Sequence, residues 1–218
     1  RAMDELLEWH IEMGTAGIVP VGTTGESATV SMDEHCAIVE HVVNSVRKRV
    51  PVIAGTGANA TWEAIELTKA AKQAGADACL LVTPYYNKPT QEGLYQHYKA
   101  IADAVDLPQV LYNVPSRTAC DMLPHTIARL AELDSVVAVK EATGDIDRAR
   151  QILELCDLVV YSGDDLSARE LMLNGAKGTI SVTANVAPDK MAAMCNAAIA
   201  GQAKDAAAID KSLVGLHN

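Results

Sequence analysis

The chain has 218 residues, 49% of them hydrophobic and 21% charged, and a formal net charge of −10. That much apolar side chain excludes low-complexity disorder, and no apolar run approaches the ~18–20 residues a membrane span needs. An acidic balance without a basic cluster argues against nucleic acid and anionic membrane surfaces as partners. At ~150 residues per domain, the length predicts a single domain over 1–218.

The first residues, Arg1-Ala-Met-Asp-Glu-Leu-Leu-Glu, read as a helix entered part-way, with no initiator and no signal peptide. One pattern then repeats: a short apolar strand, a polar or Gly-rich turn, and an amphipathic helix. The predicted strands are Gly17–Val21, Val50–Ala54, Ala78–Val82, Gln109–Asn113, Val136–Lys140, Leu158–Ser162 and Gly178–Val182. Each is a continuous Val/Ile/Leu-rich run, the signature of a parallel strand covered on both faces.

Helix signals fall between them. Ser31 with Glu34 makes a capping box, Thr90 and Asp145 are N-caps, Pro124 suits a first turn, and Asn174-Gly175 is a stop. Seven strands alternating with helices fall one short of a (β/α)8 TIM barrel, which typically needs ~250 residues. The expectation is such a barrel lacking its first strand, with an open doubly wound sheet as the competing architecture.

Five cysteines (Cys36, Cys79, Cys120, Cys156, Cys195) are odd in number, widely spaced and without C-x-x-C, so they read as small buried hydrophobes in a reducing, cytoplasmic setting. The six histidines show no metal-ligand spacing, and no metal is expected. Gly55-Thr-Gly-Ala-Asn-Ala60 matches a dinucleotide fingerprint, but the next strand ends in Val82-Thr-Pro-Tyr-Tyr86 with no acidic residue, so its glycines are expected to serve a tight turn. Gly22-Thr-Thr-Gly-Glu-Ser27 lacks a P-loop ending, yet two glycines, two hydroxyls and free amides make a cradle for a small anion such as a carboxylate.

Of the ten lysines, Lys140 alone ends an apolar strand, Val136-Val-Ala-Val-Lys140, at the edge where barrel active sites form. Desolvation there lowers an amine's pKa and supplies the neutral nitrogen that attacks a carbonyl. Tyr112 ends the preceding strand and could pass protons, provided its pKa falls beside the ammonium. Arg117 could grip a carboxylate bidentately. Tyr85 and Tyr86 read as packing aromatics, and Asp164 and Asp165 as loop-structuring acids. Amine, phenol, anion cradle and guanidinium on one edge point to Schiff-base chemistry on a 2-oxo acid.

In Gly22-Thr-Thr-Gly-Glu-Ser27, Gly55-Thr-Gly-Ala-Asn59, Thr83-Pro-Tyr-Tyr-Asn87, Tyr112-Asn-Val-Pro-Ser-Arg-Thr118, Val139-Lys-Glu-Ala-Thr-Gly144 and Ser162-Gly-Asp-Asp165, taken in this order, the chain resembles the dihydrodipicolinate synthase/N-acetylneuraminate lyase family of pyruvate-dependent class I aldolases. The resemblance spans essentially all 218 residues. It implies a (β/α)8 barrel in a homotetramer, a dimer of dimers, with no cofactor beyond a covalent imine between pyruvate and Lys140. It implies that Tyr112 shuttles protons and that Thr23 links it to Tyr86, supplied by the adjacent subunit. Thr24 would bind the pyruvate carboxylate, Gly163 and Ile180 would line the pocket, and Arg117 would hold the carboxylate of L-aspartate 4-semialdehyde. Ser116-Arg117-Thr118 favours that condensing branch, a lyase of lysine and diaminopimelate biosynthesis, over the sialic-acid lyases.

Ser27, Ala28, His35, Asn59, Glu63 and Tyr85 match the pattern at which family members bind inhibitory lysine across a dimer interface. Met32 stands where strongly inhibited members carry histidine. The resemblance also implies a first strand before Arg1 and helices after Asn218 that are not in this sequence. A sister aldolase using another 2-oxo acid, and a non-catalytic fragment or ligand-binding paralogue, are the rival readings.

Overall fold

In the computed structural model, which describes residues 1–217, α1 (Ala2–Glu12) and α2 (Met32–Val46) lead into an all-parallel sheet. Its strands are β1 (Ile53–Gly55), β2 (Ala78–Val82), β3 (Gln109–Asn113), β4 (Val136–Glu141) and β5 (Val159–Ser162), paired in that order. Between them run α3 (Thr61–Ala74), α4 (Gln91–Ala104), the short α5 (Pro115–Thr118) with α6 (Pro124–Leu130), and α7 (Ile146–Leu155). After β5 come α8 (Asp165–Leu173), α9 (Pro188–Ile199) and α10 (Ala203–His217). Chain-order parallel pairing with a helix after each strand is barrel architecture, and it removes the doubly wound alternative, whose strand order reverses at a switch point.

Val50–Ala54 forms a strand only from Ile53, running to Gly55, and two other predicted strands are reduced to single bridges for reasons that differ. Gly17–Val21 runs beside β1 with Ile18 N donating to Pro51 O (3.0 Å), Ile53 N to Ile18 O (2.9 Å) and Gly55 N to Pro20 O (3.0 Å). Pro20 and Pro51 have no N–H to donate, so the ladder shrinks to one bridge, Ile18↔Val52. At the other edge, Ser162 N donates to Gly178 O and Ile180 N to Ser162 O, both at 2.9 Å. The chain then leaves the sheet because the Asp165 carboxylate accepts from the amides of Val182 and Thr183 (2.9 Å each). Five of the seven predicted segments thus pair as strands and the outer two are held by single bridges, all parallel and in chain order as staves of a (β/α)8 barrel.

Strand alternation divides the core in two. Leu81, Leu111, Val139 and Val160, all without solvent exposure, pack outward against Leu94, Tyr98, Ile101, Ile127, Leu130, Ile152 and Leu171 from the helices. Leu80, Val110, Tyr112, Val114 and Ala138 face inward with Val82, Val159, Tyr161 and Ile180 around them. Both faces are covered, which is why these strands read as unbroken apolar runs. Each large aliphatic side chain removed from water in this way contributes about 1.5–3 kcal/mol.

The helix starts follow their signals. Ser31 Oγ accepts from Glu34 N (3.3 Å), Thr90 Oγ1 from Gly93 N (3.1 Å), and Asp145 Oδ1 from the amides of Asp147 and Arg148 (3.0 and 3.1 Å). Pro124 opens α6, and Asn174 closes α8 before Gly175 at φ +114°. The five cysteines are free thiols, buried or half-buried. Burial pushes Cys79 up to about 12 and Cys195 up to about 11, so these two act as small apolar side chains.

The glycine-rich Gly55–Ala60 stretch crosses the tip of β2. A Cβ on Gly57 would lie 2.4 Å from Val82 N, so glycine is required there for close approach.

Candidate active site

Lys140 is brought to its neighbours by strand register. In the parallel ladder Val82 pairs with Tyr112, Tyr112 with Lys140, and Lys140 with Tyr161, so these four side chains share one inward-facing row at the C-terminal end of the strands. Lys140 is the one lysine buried among the described residues, 8% exposed, and its Nζ sits 4.2 Å above the centre of the Tyr112 ring.

The ring face attracts an ammonium, as does the field of Asp165; burial opposes both, and Arg117 adds like-charge repulsion. Burial wins, and the Lys140 pKa falls to about 8. A substantial neutral fraction therefore exists at mildly alkaline pH.

Gly163 makes room for this side chain. A Cβ there would stand 2.5 Å from Ala142 Cβ and 2.8 Å from Lys140 Cε, so the backbone at the tip of β5 lies flat along the lysine stem. Its amide donates to Glu141 O at 2.8 Å. Ile180 lies half-buried in the same inner cluster, its amide held by Ser162 O.

The Tyr112 phenol corrects an expectation. Its pKa is raised, not lowered: burial dominates over the Thr23 hydrogen bond and the Arg117 field, which both favour the phenolate. Lys140 is not among the groups that lower it: with its own pKa near 8, the amine is already neutral where the phenol titrates. Tyr112 is therefore a protonated phenol in the working pH range, suited to donate first and to accept only after a transfer.

Thr23 lies on a 3-10 turn over Thr23–Gly25, near enough for its side chain to favour the Tyr112 phenolate. Thr24, on the same turn, is exposed. The turn is closed by Gly25 N to Gly22 O (2.9 Å) and Glu26 N to Thr23 O (3.0 Å), while the amides of Thr23 and Thr24 have no partner among the described residues. That fits an anion cradle. Arg117 is exposed near the end of α5, its guanidinium without a hydrogen bond or ion pair among the described residues, yet its charge is felt at both Lys140 and Tyr112.

Tyr86 is not brought to its own chain's Lys140. It is 88% exposed, and its backbone is held at φ +74° with its amide donating to Thr118 O (3.2 Å). That backbone region is costly for a bulky residue, and it presents the ring outward.

Of the six candidate lysine-site residues, Ser27, Ala28, His35, Glu63 and Tyr85 line one cavity of ≈ 30 Å³ together with Met32. Asn59 flanks it, donating to Tyr85 O at 3.3 Å. His35 is neutral-leaning: burial lowers its pKa against the opposing effects of Gly55 O, 2.7 Å from Nε2, and Glu63.

The reading of the paired acids was half complete. Asp164 structures the loop, its Oδ2 accepting from Ser167 N (2.9 Å) and Oγ (2.7 Å) at the start of α8. Asp165 pins the Val182–Thr183 turn and is also the carboxylate whose field Lys140 feels. Tyr161, in line with Lys140, was missed; the period of two from Lys140 across a parallel neighbour would have pointed to it had the register been known.

A buried amine, a protonated phenol and an anion cradle at the strand tips define a class of barrel enzyme in which side chains, presented from the strand ends, carry the chemistry. The family model described as "Dihydrodipicolinate synthetase family" matches residues 1–218, and the chain belongs to that family. A 4-hydroxy-tetrahydrodipicolinate synthase of Stutzerimonas stutzeri is 60% identical over 218 residues, covering 99% of this chain and 75% of the relative. The crystal structure of a chloride-inhibited dihydrodipicolinate synthase from Acinetobacter baumannii, complexed with pyruvate, superposes with a TM-score of 0.98 at 57% identity, over 100% of this chain and 75% of that one. A Cyanidioschyzon merolae structure with lysine bound superposes with a TM-score of 0.93 at 37% identity, over 96% of this chain and 72% of that one. The chain is a lyase.

Proposed function

We propose that the chain acts as a 4-hydroxy-tetrahydrodipicolinate synthase, condensing pyruvate with L-aspartate 4-semialdehyde through an imine on Lys140. The observation that carries this reading is the buried Lys140 amine, its pKa near 8, held 4.2 Å above the ring of Tyr112.

The neutral amine adds to the keto carbon of pyruvate, whose carboxylate rests on Thr24 and the free amides of its turn. Tyr112 gives its proton to the carbinolamine hydroxyl, which leaves as water, and the iminium forms. The iminium draws electrons from the adjacent methyl, which loses a proton to the Tyr112 phenolate left by that transfer and becomes an enamine. That carbon attacks the aldehyde of the second substrate, whose carboxylate pairs with the unoccupied Arg117 guanidinium. The substrate's own amino group then attacks the imine carbon and expels Lys140. Gly163 and Ile180 wall the pocket.

Pyruvate with borohydride tests this directly. The expected result is a stable adduct on Lys140 found by peptide mass mapping; no adduct, or one on another lysine, overturns the reading. Turnover with aspartate semialdehyde but not N-acetylmannosamine separates the synthase from a sister lyase.

The outward Tyr86 supports a second copy completing the Thr23–Tyr112 proton path, within a dimer of dimers. The ≈ 30 Å³ cavity has room for about one water, so a free lysine needs a facing wall, which such a copy would supply. Met32 offers that cavity a thioether, without the hydrogen-bonding capacity of an imidazole. Inhibition by lysine is therefore expected to be weak or absent in a steady-state assay; half-inhibition at micromolar lysine would contradict the assignment of Met32.

A further inference from the structure

Immediately beyond the two reactive residues, Asn113 and Glu141 form the next pair in the β3–β4 register, after Tyr112 and Lys140. Alternation turns Asn113 and Glu141 to the helix side, so a single step along each strand joins an inward reactive side chain to an outward polar one. Both outward groups are buried, Glu141 to 1% exposure and Asn113 completely.

Their hydrogen bonds are fully assigned. Glu141 Oε2 accepts from Asn113 Nδ2 (3.2 Å) and Arg148 Nε (3.1 Å), while Oε1 accepts from Thr143 N (2.8 Å). Asn113 also donates to Asp121 Oδ1 (3.1 Å) and accepts from Met122 N (3.0 Å). Arg148, on α7, forks onto Asp121 at 2.8 and 3.2 Å and donates to Met122 O as well.

We infer that Asn113, Glu141, Arg148 and Asp121 form a positioning clamp which locks the tips of β3 and β4 to each other and to α7, so that the Tyr112 phenol and the Lys140 amine are held in reactive register. The inference rests on the imine reading of Lys140. None of the four touches substrate in this scheme; they act through the backbone of the residues they follow. A catalytic pair loses rate steeply when misplaced by about 1 Å, which is the error a loosened strand tip would introduce.

The chemistry of Glu141 makes the clamp testable. Both its oxygens act only as acceptors, facing three donors, so an isosteric glutamine must point its NH2 at a donor. A loosened β4 tip lets the Lys140 amine reach water, and its pKa then climbs towards the ordinary lysine value. Loss of a negative charge felt at Lys140 would instead lower it. Glu141 and Arg148 are not among the charges felt at Lys140, so the sign of the shift reports position.

The experiment measures the pH dependence and rate of pyruvate trapping by borohydride on Lys140, with thermal melting alongside, for the unsubstituted chain, E141Q and the paired variant E141L/R148M. The paired variant replaces a buried ion pair by apolar side chains, a change that is often neutral for stability. Both variants are expected to trap about tenfold or more slowly, with a midpoint displaced upward, while E141L/R148M melts near the unsubstituted chain. Unchanged midpoint and rate in a folded variant, a downward midpoint, or full recovery in E141L/R148M each overturns the clamp. Failure of the unsubstituted chain to trap pyruvate overturns the imine reading instead.

Discussion

Replacing Lys140 by Met is expected to abolish pyruvate trapping and turnover while making the protein more stable. Burial depresses this pKa from the usual 10.5 to about 8, so between those values the unfolded chain binds more protons than the folded one. Stability therefore rises with pH across that window, and below pH 8 the folded state carries the full cost of a buried ammonium. At roughly 1.4 kcal/mol per pKa unit, that cost is at most about 3 kcal/mol at neutral pH. Methionine fills similar space without charge, so its melting temperature at pH 7 should exceed that of the unsubstituted chain by several degrees. The gap should close as the pH approaches 10.5. A K140M protein that melts lower at pH 7, or a gap that does not narrow with pH, would show that the amine is not buried as described.

Tyr112→Phe retains the ring beneath the Lys140 nitrogen and removes only the hydroxyl. Imine formation should slow by about 10²–10⁴-fold, the usual contribution of a positioned proton donor. The KM for pyruvate should hardly change, because its carboxylate is held on the Thr24 turn. The raised phenol pKa places the alkaline limb of the rate profile above the ordinary tyrosine value of ~10, and that limb should disappear in Y112F. A variant that keeps both its rate and its alkaline limb would remove Tyr112 from the proton path.

Linear pattern carried much of this. Continuous apolar runs located seven parallel segments, and Ser31, Thr90, Asp145 and Pro124 marked helix starts that the structure reproduces. Lys140 stood out because a charge at the end of such a run has few places to go. The shortened edges were legible only in part: Pro20 and Pro51 are visible in the sequence, but their effect depends on which donors the neighbouring segment needs. Asp165 capturing the amides of Val182 and Thr183 is a contact over seventeen and eighteen positions that no local rule anticipates.

The direction of the Tyr112 shift was misjudged for a related reason. Proximity to an ammonium was foreseen, but the direction is set by how far the folded chain desolvates the phenol, which outweighs the Thr23 and Arg117 effects.

Readable in the sequence alone were the barrel class, the order of its staves, and the strand-tip residues proposed to carry the chemistry. Propensity, burial pattern and capping are properties of short windows, and a short window suffices to read them. Only the tertiary structure decided which way each titratable group shifts, which glycine lies against Lys140, and how Asn113, Glu141, Arg148 and Asp121 meet. Those outcomes depend on distances and desolvation between segments far apart in the chain, and such quantities exist only once the chain has folded.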